Sequence, residues 1–133
     1  MSTNASAVRR GITAPGAPPA VGPYTHAVRH GDLLFCSGAL PLHPQTQELV
    51  ADSLAAETTQ CLRNLAAVCE AAGTHLGQAL RLTVYTTDLG AFAEINEAYA
   101  AFFADDPPAR VAVGVAALPK NARVEIDAIV ALG

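Results

Sequence analysis

Arg110 is the first candidate for chemistry, because it lies in an alternating segment that places it among very small residues. Successive side chains of a strand point to opposite faces, so Arg110 shares one face with Ala112 and Gly114. Val111 and Val113 then point to the other face. A guanidinium with free space beside it can hold a carboxylate through two parallel hydrogen bonds. The pattern predicts an anion clamp; the alternative is a solvated arginine at a strand end, which is common for this residue.

Two acids, Glu125 and Asp127, point the same way along the last predicted strand, Arg123–Val130. A turn of Pro119-Lys120-Asn121-Ala122 separates this strand from the strand of Arg110, so we expect the two strands to be antiparallel neighbours. That pairing would bring Arg110 and an acid onto the same sheet face. Their simplest relation is a surface salt bridge, which contributes about 0 to 1 kcal/mol.

Two further positions are shaped by glycine and proline. The segment Ala14–Pro23 holds four prolines and two glycines, which indicates an ordered loop that ends by directing the hydroxyl of Tyr24 to a defined place. Ser37-Gly38 ends an apolar strand with a glycine, where a ligand or another backbone can approach closely.

The remaining elements follow from hydrophobic periodicity. Apolar residues at three- and four-residue spacing predict a long helix over residues 54–72, capped by Asp52 or Ser53 and stopped by Gly73, with Glu57 near its N-terminus. Before this helix the sequence predicts a short edge strand at Arg9–Thr13 and a hairpin of Ala27–His30 and Leu33–Ser37. After it follow a strand at Ala79–Thr87 and a helix at Ala91–Ala104 capped by Asp88. The residues of the strand that face the core are Leu80, Leu82 and Val84. One apolar face per element predicts an α+β fold, a two-layer sandwich of a mixed sheet packed on two helices.

Composition narrows the classes of function. The 133 residues are expected to form one domain, with about residues 1–11 as a flexible extension. A net charge of −4 argues against a nucleic-acid partner. No apolar run is long enough to span a bilayer, which argues against a membrane protein. The N-terminus lacks the apolar segment of a secretory signal, so we expect a cytoplasmic location. Only 15% of residues are charged, which favours self-association through the second sheet face.

Cysteine and histidine spacing points to no metal site. Three cysteines form no CxxC pair and are expected to be reduced, buried thiols, namely Cys36, Cys61 and Cys69. Four histidines lack metal-ligand spacing and are expected on the surface or in turns, namely His26, His30, His43 and His75.

Eight short motifs, in order, resemble those of the Rid family (the YjgF-type reactive intermediate/imine deaminase A proteins) over about residues 12–131. They are Gly22-Pro23-Tyr24, Ser37-Gly38, Glu70-Ala71-Ala72-Gly73, Thr86-Thr87-Asp88, Ile95-Asn96-Glu97-Ala98-Tyr99, Pro108-Ala109-Arg110, Leu118-Pro119-Lys120 and Val124-Glu125-Ile126. The resemblance implies a chorismate-mutase-like fold and a homotrimer with three clefts between subunits. It also implies hydrolysis of 2-aminoacrylate-like enamines and imines (2-iminobutanoate and 2-iminopropanoate) to 2-keto acid and ammonia, without metal or organic cofactor.

The resemblance also implies roles for single residues. Arg110 would clamp the substrate carboxylate, Glu125 would position or polarise the attacking water, and Tyr24 would close the cleft. The substrate-binding positions would be Ser37, Gly38, the backbone of Ala112, and Asn96 on the cleft wall. An imine carbon is already electrophilic, so these groups suffice to orient substrate and water and to assist proton transfer.

Five positions depart from the family pattern. Val111 and Ala112 follow the arginine where the family usually has a small polar residue and then Cys, Thr or Ser. Gly114 and Ala117 replace a common Glu and Arg, and Ala39 stands where Gln is frequent. A roomier, more apolar pocket would favour a bulkier imine. One alternative is a non-catalytic trimeric protein that binds small carboxylates. A second is an RNA-cleaving enzyme, which the negative net charge of the chain opposes.

Overall fold

The computed structural model describes residues 8–133, which form one six-stranded mixed sheet and two helices. The strands are β1 (Arg10–Ile12), β2 (Ala27–His30), β3 (Leu33–Ala39), β4 (Ala79–Thr86), β5 (Ala109–Gly114) and β6 (Val124–Ala131), and the helices are α1 (Leu54–Ala71) and α2 (Phe92–Ala100). The strand order is β1-β2-β3-β6-β4-β5. The predicted α+β sandwich with a mixed sheet on two helices is confirmed.

The hairpin and the long helix begin and end close to where the neighbouring turn and cap residues predict. Gly31 adopts a positive φ of 62° in the two-residue turn that joins β2 to β3. Ser53 is the N-cap of α1, because its Oγ accepts a hydrogen bond from the Ala56 N–H at 3.0 Å. Gly73, with φ of 85°, follows the helix end in the left-handed conformation expected of a C-terminal glycine.

The expected antiparallel pairing of the Arg110 strand with the last strand is wrong. β5 pairs in parallel with β4, and β6 pairs in antiparallel fashion with both β3 and β4. The reason is the helix α2 between β4 and β5, since a strand–helix–strand connection returns the chain in the same direction. β6 therefore lies between β3 and β4, and β5 is left at the sheet edge.

Other boundaries also differ from the sequence prediction. Asp88 makes no capping hydrogen bond; a 3₁₀ turn at Leu89–Ala91 comes first, and α2 starts at Phe92 and ends at Ala100 rather than Ala104. Leu80 is 49% exposed instead of facing the core, because a bulge between Ala79 and Arg81 turns it out of register.

The N-terminal prediction is partly corrected. Residues 1–7 of the expected flexible extension lie outside the described residues, whereas Arg10 and Gly11 belong to β1, the predicted edge strand.

One face of the sheet packs under the helices and the other is open. Along β6, four apolar residues that alternate with the two acids are buried with the apolar stripe of α1, namely Val124, Ile126, Ala128 and Val130. On the open face, Phe35, Val111 and Val113 are large apolar side chains 37–44% exposed, in the company of the half-buried Glu125 and Asp127. Exposed apolar patches of this kind mark interaction surfaces.

Candidate active site

Arg110 is held by one side of α2. Its Nη1 donates a hydrogen bond of 2.7 Å to Asn96 Oδ1, and its Cζ lies 5.0 Å from the ring centroids of both Phe92 and Tyr99. These three α2 residues are spaced by four and three positions, so they share one helix face. Cation–π contacts at exposed sites contribute about 0.5–1 kcal/mol each. The guanidinium is therefore pre-oriented by aromatic rings and an amide, not only by the Ala and Gly neighbours that the sequence indicated.

Tyr99 was not singled out as a site residue by the sequence, although its spacing from Asn96 was a usable signal. Its ring is 6% exposed and packs on Phe103 with centroids 4.8 Å apart. Its hydroxyl is buried and finds no hydrogen-bond partner among residues 8–133. Burial raises the pKa of this phenol, and the positive charge of Arg110 partly opposes the rise.

Glu125 lies on the open face, packed against the backbone of Gly38. A bulge in β3 between Cys36 and Ala39 brings Gly38 beside the carboxylate, and a Cβ on Gly38 would overlap it, with the Glu125 Cδ only 2.9 Å away. Glycine is required here for this close approach. Burial, and then the charge of Asp127, raise the pKa of the Glu125 carboxyl.

Asp127 is itself held in place. The Tyr85 hydroxyl donates to Asp127 Oδ2 at 3.0 Å, and Tyr85 lies directly opposite Glu125 in the β4–β6 register. Burial and the hydrogen bond to Asp127 raise the pKa of Tyr85. The open face thus carries a cluster of two carboxyls and a phenol, of which the sequence indicated only the acids.

Tyr24 and Ser37 line a depression on the open face, together with Arg9 and Val28. Tyr24 is 42% exposed, and its hydroxyl oxygen accepts the Val21 N–H at 3.2 Å, which fixes the ring at the end of the proline-rich loop. The Ser37 hydroxyl donates to the Thr25 carbonyl at 2.6 Å, so its own donor is already used.

His26 lies in the bend before β2, within the surface-or-turn expectation, and its ring makes two hydrogen bonds to the loop. Its ring is partly buried, with Nδ1 accepting the Ala14 N–H at 2.8 Å and Nε2 lying 2.8 Å from the Pro18 carbonyl. Because Nδ1 accepts, the proton belongs on Nε2, which donates to Pro18. This residue ties down the loop that carries Tyr24. His30, His43 and His75 are exposed, as predicted.

Arg110 and Glu125 lie on opposite faces of the sheet within one chain, so the expectation of an acid beside Arg110 on one face is wrong. Arg110 is in register with Leu82, which faces the helices, whereas Glu125 is in register with Tyr85 on the open face. β4 also separates their strands. The candidate residues form two groups: Arg110, Ala112 and Asn96 at the β5–α2 edge, and Tyr24, Ser37, Gly38 and Glu125 around the end of β3.

An ion pair between the buried Glu57 and the half-exposed Arg123 supports the start of β6, whereas the sequence indicated only that Glu57 lies near the helix N-terminus. The Glu57 carboxylate, 1% exposed, receives Arg123 Nε and Nη2 at 2.6 Å each and the Arg123 backbone N–H at 3.0 Å. The Arg123 carbonyl in turn accepts the Thr86 hydroxyl at 2.7 Å. This junction links α1, β4 and the strand that carries Glu125.

No group of three or more His, Cys, Asp or Glu side chains able to hold a metal ion occurs in residues 8–133. All three cysteines are free and buried, as predicted, and the neighbouring Cys69 thiol, together with burial, raises the pKa of Cys36. In the described part of the chain, neither helix combines the length and apolar character needed to cross a bilayer.

Comparison with known proteins identifies relatives along nearly the whole chain. The family model Ribonuc_L-PSP, described as Endoribonuclease L-PSP, matches residues 14–132. A RutC family protein, y4sK, of Sinorhizobium fredii is 49% identical over 121 residues, covering 91% of this chain and 96% of the relative. The 2-iminobutanoate/2-iminopropanoate deaminase of Escherichia coli K12 is 43% identical, covering 89% and 94%. The crystal structure of E. coli TdcF with bound serine superposes with a TM-score of 0.87 at 41% identity, covering 92% and 98%.

Proposed function

Because this chain belongs to the endoribonuclease L-PSP family, also called the YjgF/RidA family, we propose that it is a cofactor-independent deaminase of 2-imino acids and their enamines. The proposal rests on two pre-oriented polar side chains. The Arg110 guanidinium is held by Asn96 and contacts two aromatic rings, and the Glu125 carboxyl, whose pKa is raised, packs on Gly38. The deaminase named above, 43% identical, supports the same chemistry.

Arg110 binds the substrate carboxylate. Asn96 occupies Nη1, and the aromatic rings of Phe92 and Tyr99 fix the guanidinium plane, so binding costs little side-chain ordering. A planar fork of donors suits a planar carboxylate, and a lysine could not reproduce its two parallel bonds. The serine named with the E. coli TdcF structure is a ligand of that protein and has a carboxylate of the kind that Arg110 would hold.

Glu125 activates the attacking water as a general base. In its ionised form the carboxylate takes a proton from water as the oxygen bonds to the imine carbon, and the C=N π electrons move to nitrogen. Glu125 gives this proton to nitrogen, which completes the carbinolamine. The carboxylate then takes the proton of the new hydroxyl as the C=O bond forms and passes it to nitrogen as the C–N bond breaks, so that ammonia and the 2-keto acid leave. A raised pKa suits this double role, because the group must both accept and give a proton near neutral pH.

One chain cannot apply both groups to one ligand, since Arg110 and Glu125 lie on opposite faces of the sheet. The proposal therefore includes a homotrimer whose clefts combine Arg110, Asn96 and the backbone of Ala112 of one copy with Tyr24, Ser37, Gly38 and Glu125 of the next. The exposed apolar residues Phe35, Val111 and Val113 on the open face favour such docking.

The alternative is a binding protein that holds a small carboxylate without turnover, which the substitutions at Val111 and Ala112 beside the clamp favour. The nuclease activity in the family description is opposed by the net charge of −4, because a nucleic-acid site needs a basic surface.

The decisive experiment generates imines in situ with an amino-acid oxidase and follows release of the 2-keto acid. We expect acceleration by the wild type, loss in Arg110→Ala and Glu125→Gln, and retention in the control Arg63→Ala, an exposed arginine on α1. Absence of acceleration by the wild type, with calorimetric binding of 2-ketobutanoate that Arg110→Ala abolishes, would establish the binding protein instead. Light scattering that gives a monomer at micromolar concentration would exclude the shared cleft.

A further inference from the structure

Tyr85 adjoins both carboxyls of the open face and donates its hydroxyl to only one of them. In the β4–β6 register Tyr85 is directly opposite Glu125, whereas Thr83 is directly opposite Asp127. Residues opposite each other in an antiparallel pair have Cβ atoms about 4.5–5.5 Å apart, and an aromatic side chain also reaches the diagonal neighbour. The Tyr85 hydroxyl makes the diagonal contact, at 3.0 Å from Asp127 Oδ2. The phenol therefore bypasses the carboxyl that is nearest to it along the strands.

Glu125 is left with free carboxylate oxygens as a result. Among residues 8–133 no side chain and no backbone N–H donates a hydrogen bond to this carboxylate, although the backbone of Gly38 packs against it. A carboxylate that acts as a general base needs a free oxygen to receive the proton of water. A phenol bonded to that oxygen would stabilise the ionised carboxylate and weaken it as a base.

We propose that Asp127 is a positioning residue that holds the Tyr85 hydroxyl away from Glu125, so that the Glu125 carboxylate stays free to bind and activate water. This inference rests on the proposed deaminase function and adds a residue to its mechanism. Asp127 acts through Tyr85 and through its own charge, not by contact with the substrate. Burial and then the charge of Asp127 raise the pKa of Glu125, which also strengthens Glu125 as a base.

Few other ionisable groups lie around this part of the open face. They are Arg81 on β4, Arg9 and Tyr24 at the depression beside β3, and Cys61 of α1 beneath the sheet. β5 presents only uncharged side chains to this face. In the proposed cleft Arg110 of a neighbouring copy adds one positive charge. All of these groups are the same in every variant compared below, so a difference between the variants reports on Tyr85 and Asp127.

The test is a cycle of four proteins: the wild type, Tyr85→Phe, Asp127→Ala and the double variant. In Asp127→Ala the Tyr85 hydroxyl has lost its acceptor and can turn to Glu125, whereas the double variant has no hydroxyl to turn. The control Glu70→Gln removes one negative charge from the exposed side of α1, on the other side of the sheet.

Two measurements are made on each protein. The first is the pH profile of kcat and kcat/KM with the imine that an amino-acid oxidase makes from alanine. The second is the titration of the Glu125 carboxyl by NMR, in protein labelled with ¹³C at the glutamate carboxyls and assigned with Glu125→Gln. Circular dichroism confirms that each variant is folded at the pH values used.

We expect Asp127→Ala to lower kcat about three- to tenfold, because a phenol bonded to Glu125 makes it a weaker base. The acid limb of the kcat/KM profile and the titration of Glu125 should both move to lower pH. Adding Tyr85→Phe to Asp127→Ala should raise kcat again by at least about twofold and move the titration back toward that of the wild type. Tyr85→Phe alone should not raise kcat, and Glu70→Gln should behave as the wild type.

Two results would overturn the inference and leave the deaminase function intact. One is a change in kcat on Tyr85→Phe that is equal with and without Asp127, which indicates a merely structural contact. The other is a Glu125 titration that is the same in Asp127→Ala and in the double variant. If the wild type accelerates hydrolysis of no imine, the proposed function fails, and the NMR titration still decides whether Asp127 keeps the phenol away from Glu125.

Discussion

Removing either partner of the Glu57–Arg123 pair should destabilise the protein, and the two removals should differ. Glu57 is 1% exposed, so Arg123→Ala leaves a buried carboxylate whose remaining partner is the Arg123 backbone N–H at 3.0 Å. The Arg123 side chain is 42% exposed, so in Glu57→Ala the guanidinium can turn to water. Breaking a buried pair costs about 3–5 kcal/mol in the free energy of unfolding. We place Arg123→Ala at the upper end and Glu57→Ala at about 3 kcal/mol or below.

For a chain of this length, about 1 kcal/mol corresponds to about 4 °C in the melting temperature. The expected decreases are therefore about 10 °C for Glu57→Ala and about 15–20 °C for Arg123→Ala, measured by circular dichroism at one fixed protein concentration. The double variant should lose less than the sum of the single losses, because the second removal relieves the unpaired charge.

The matched control is Glu70→Ala, an exposed carboxylate on the same helix, which should change the free energy of unfolding by no more than about 0.5 kcal/mol. If Glu57→Ala melts within a few degrees of this control, or if Arg123→Ala is the milder change, the reasoning from burial is refuted.

Three further predictions concern the proposed site. Glu125→Gln should be inactive, yet it should melt at a higher temperature than the wild type at neutral pH. Because the pKa of Glu125 is raised in the folded state, the folded wild type binds more protons than the unfolded chain, so its stability falls as the pH rises through the pKa values of the unfolded and folded carboxyl, and the advantage of the variant should vanish in acid. A difference in melting temperature that is constant at all pH values would contradict this. Gly38→Ala should reduce kcat at least tenfold because its Cβ displaces the Glu125 carboxylate, whereas Gly16→Ala, where a Cβ meets only ordinary contact at 3.6 Å, should retain activity; equal kcat values would contradict the close-packing argument. Tyr99→Leu should raise KM several-fold, with a smaller effect on kcat, because it frees the Arg110 side chain. Tyr99→Phe keeps the ring and should therefore have the KM of the wild type. If KM is raised equally in both variants, the ring contact is not what orients Arg110.

Sequence reasoning succeeded where the signals are local. The hairpin at Gly31, the cap at Ser53 and the stop at Gly73 each depend on a few neighbouring residues, and the structure confirms them. The order of the last strands was wrong because alternation gives the same pattern whether β5 pairs with β4 or with β6. Strand order depends instead on where α2 packs.

The candidate site was predictable as a set of residues, largely through family resemblance, but not as an arrangement. Asn96 was named without its partner, and the hydrogen bond to Arg110 appears only when α2 lies over the β5 edge. Phe92 and Tyr99 are apolar positions of α2, and their spacing around Asn96 could have indicated a shared face. Glu57 finds Arg123 across 66 positions of sequence, a separation at which no local pattern gives information.

The placement of Arg110 and Glu125 on opposite faces of the sheet has a genetic consequence. If each cleft takes these residues from different subunits, two inactive variants can complement each other. Arg110→Ala and Glu125→Gln chains, unfolded together and reassembled at equal amounts, would combine one intact half from each parent in about a quarter of randomly formed clefts. An activity defect in this protein would then behave as a property of the assembly, and two damaged alleles in one cell could support a function that neither provides alone.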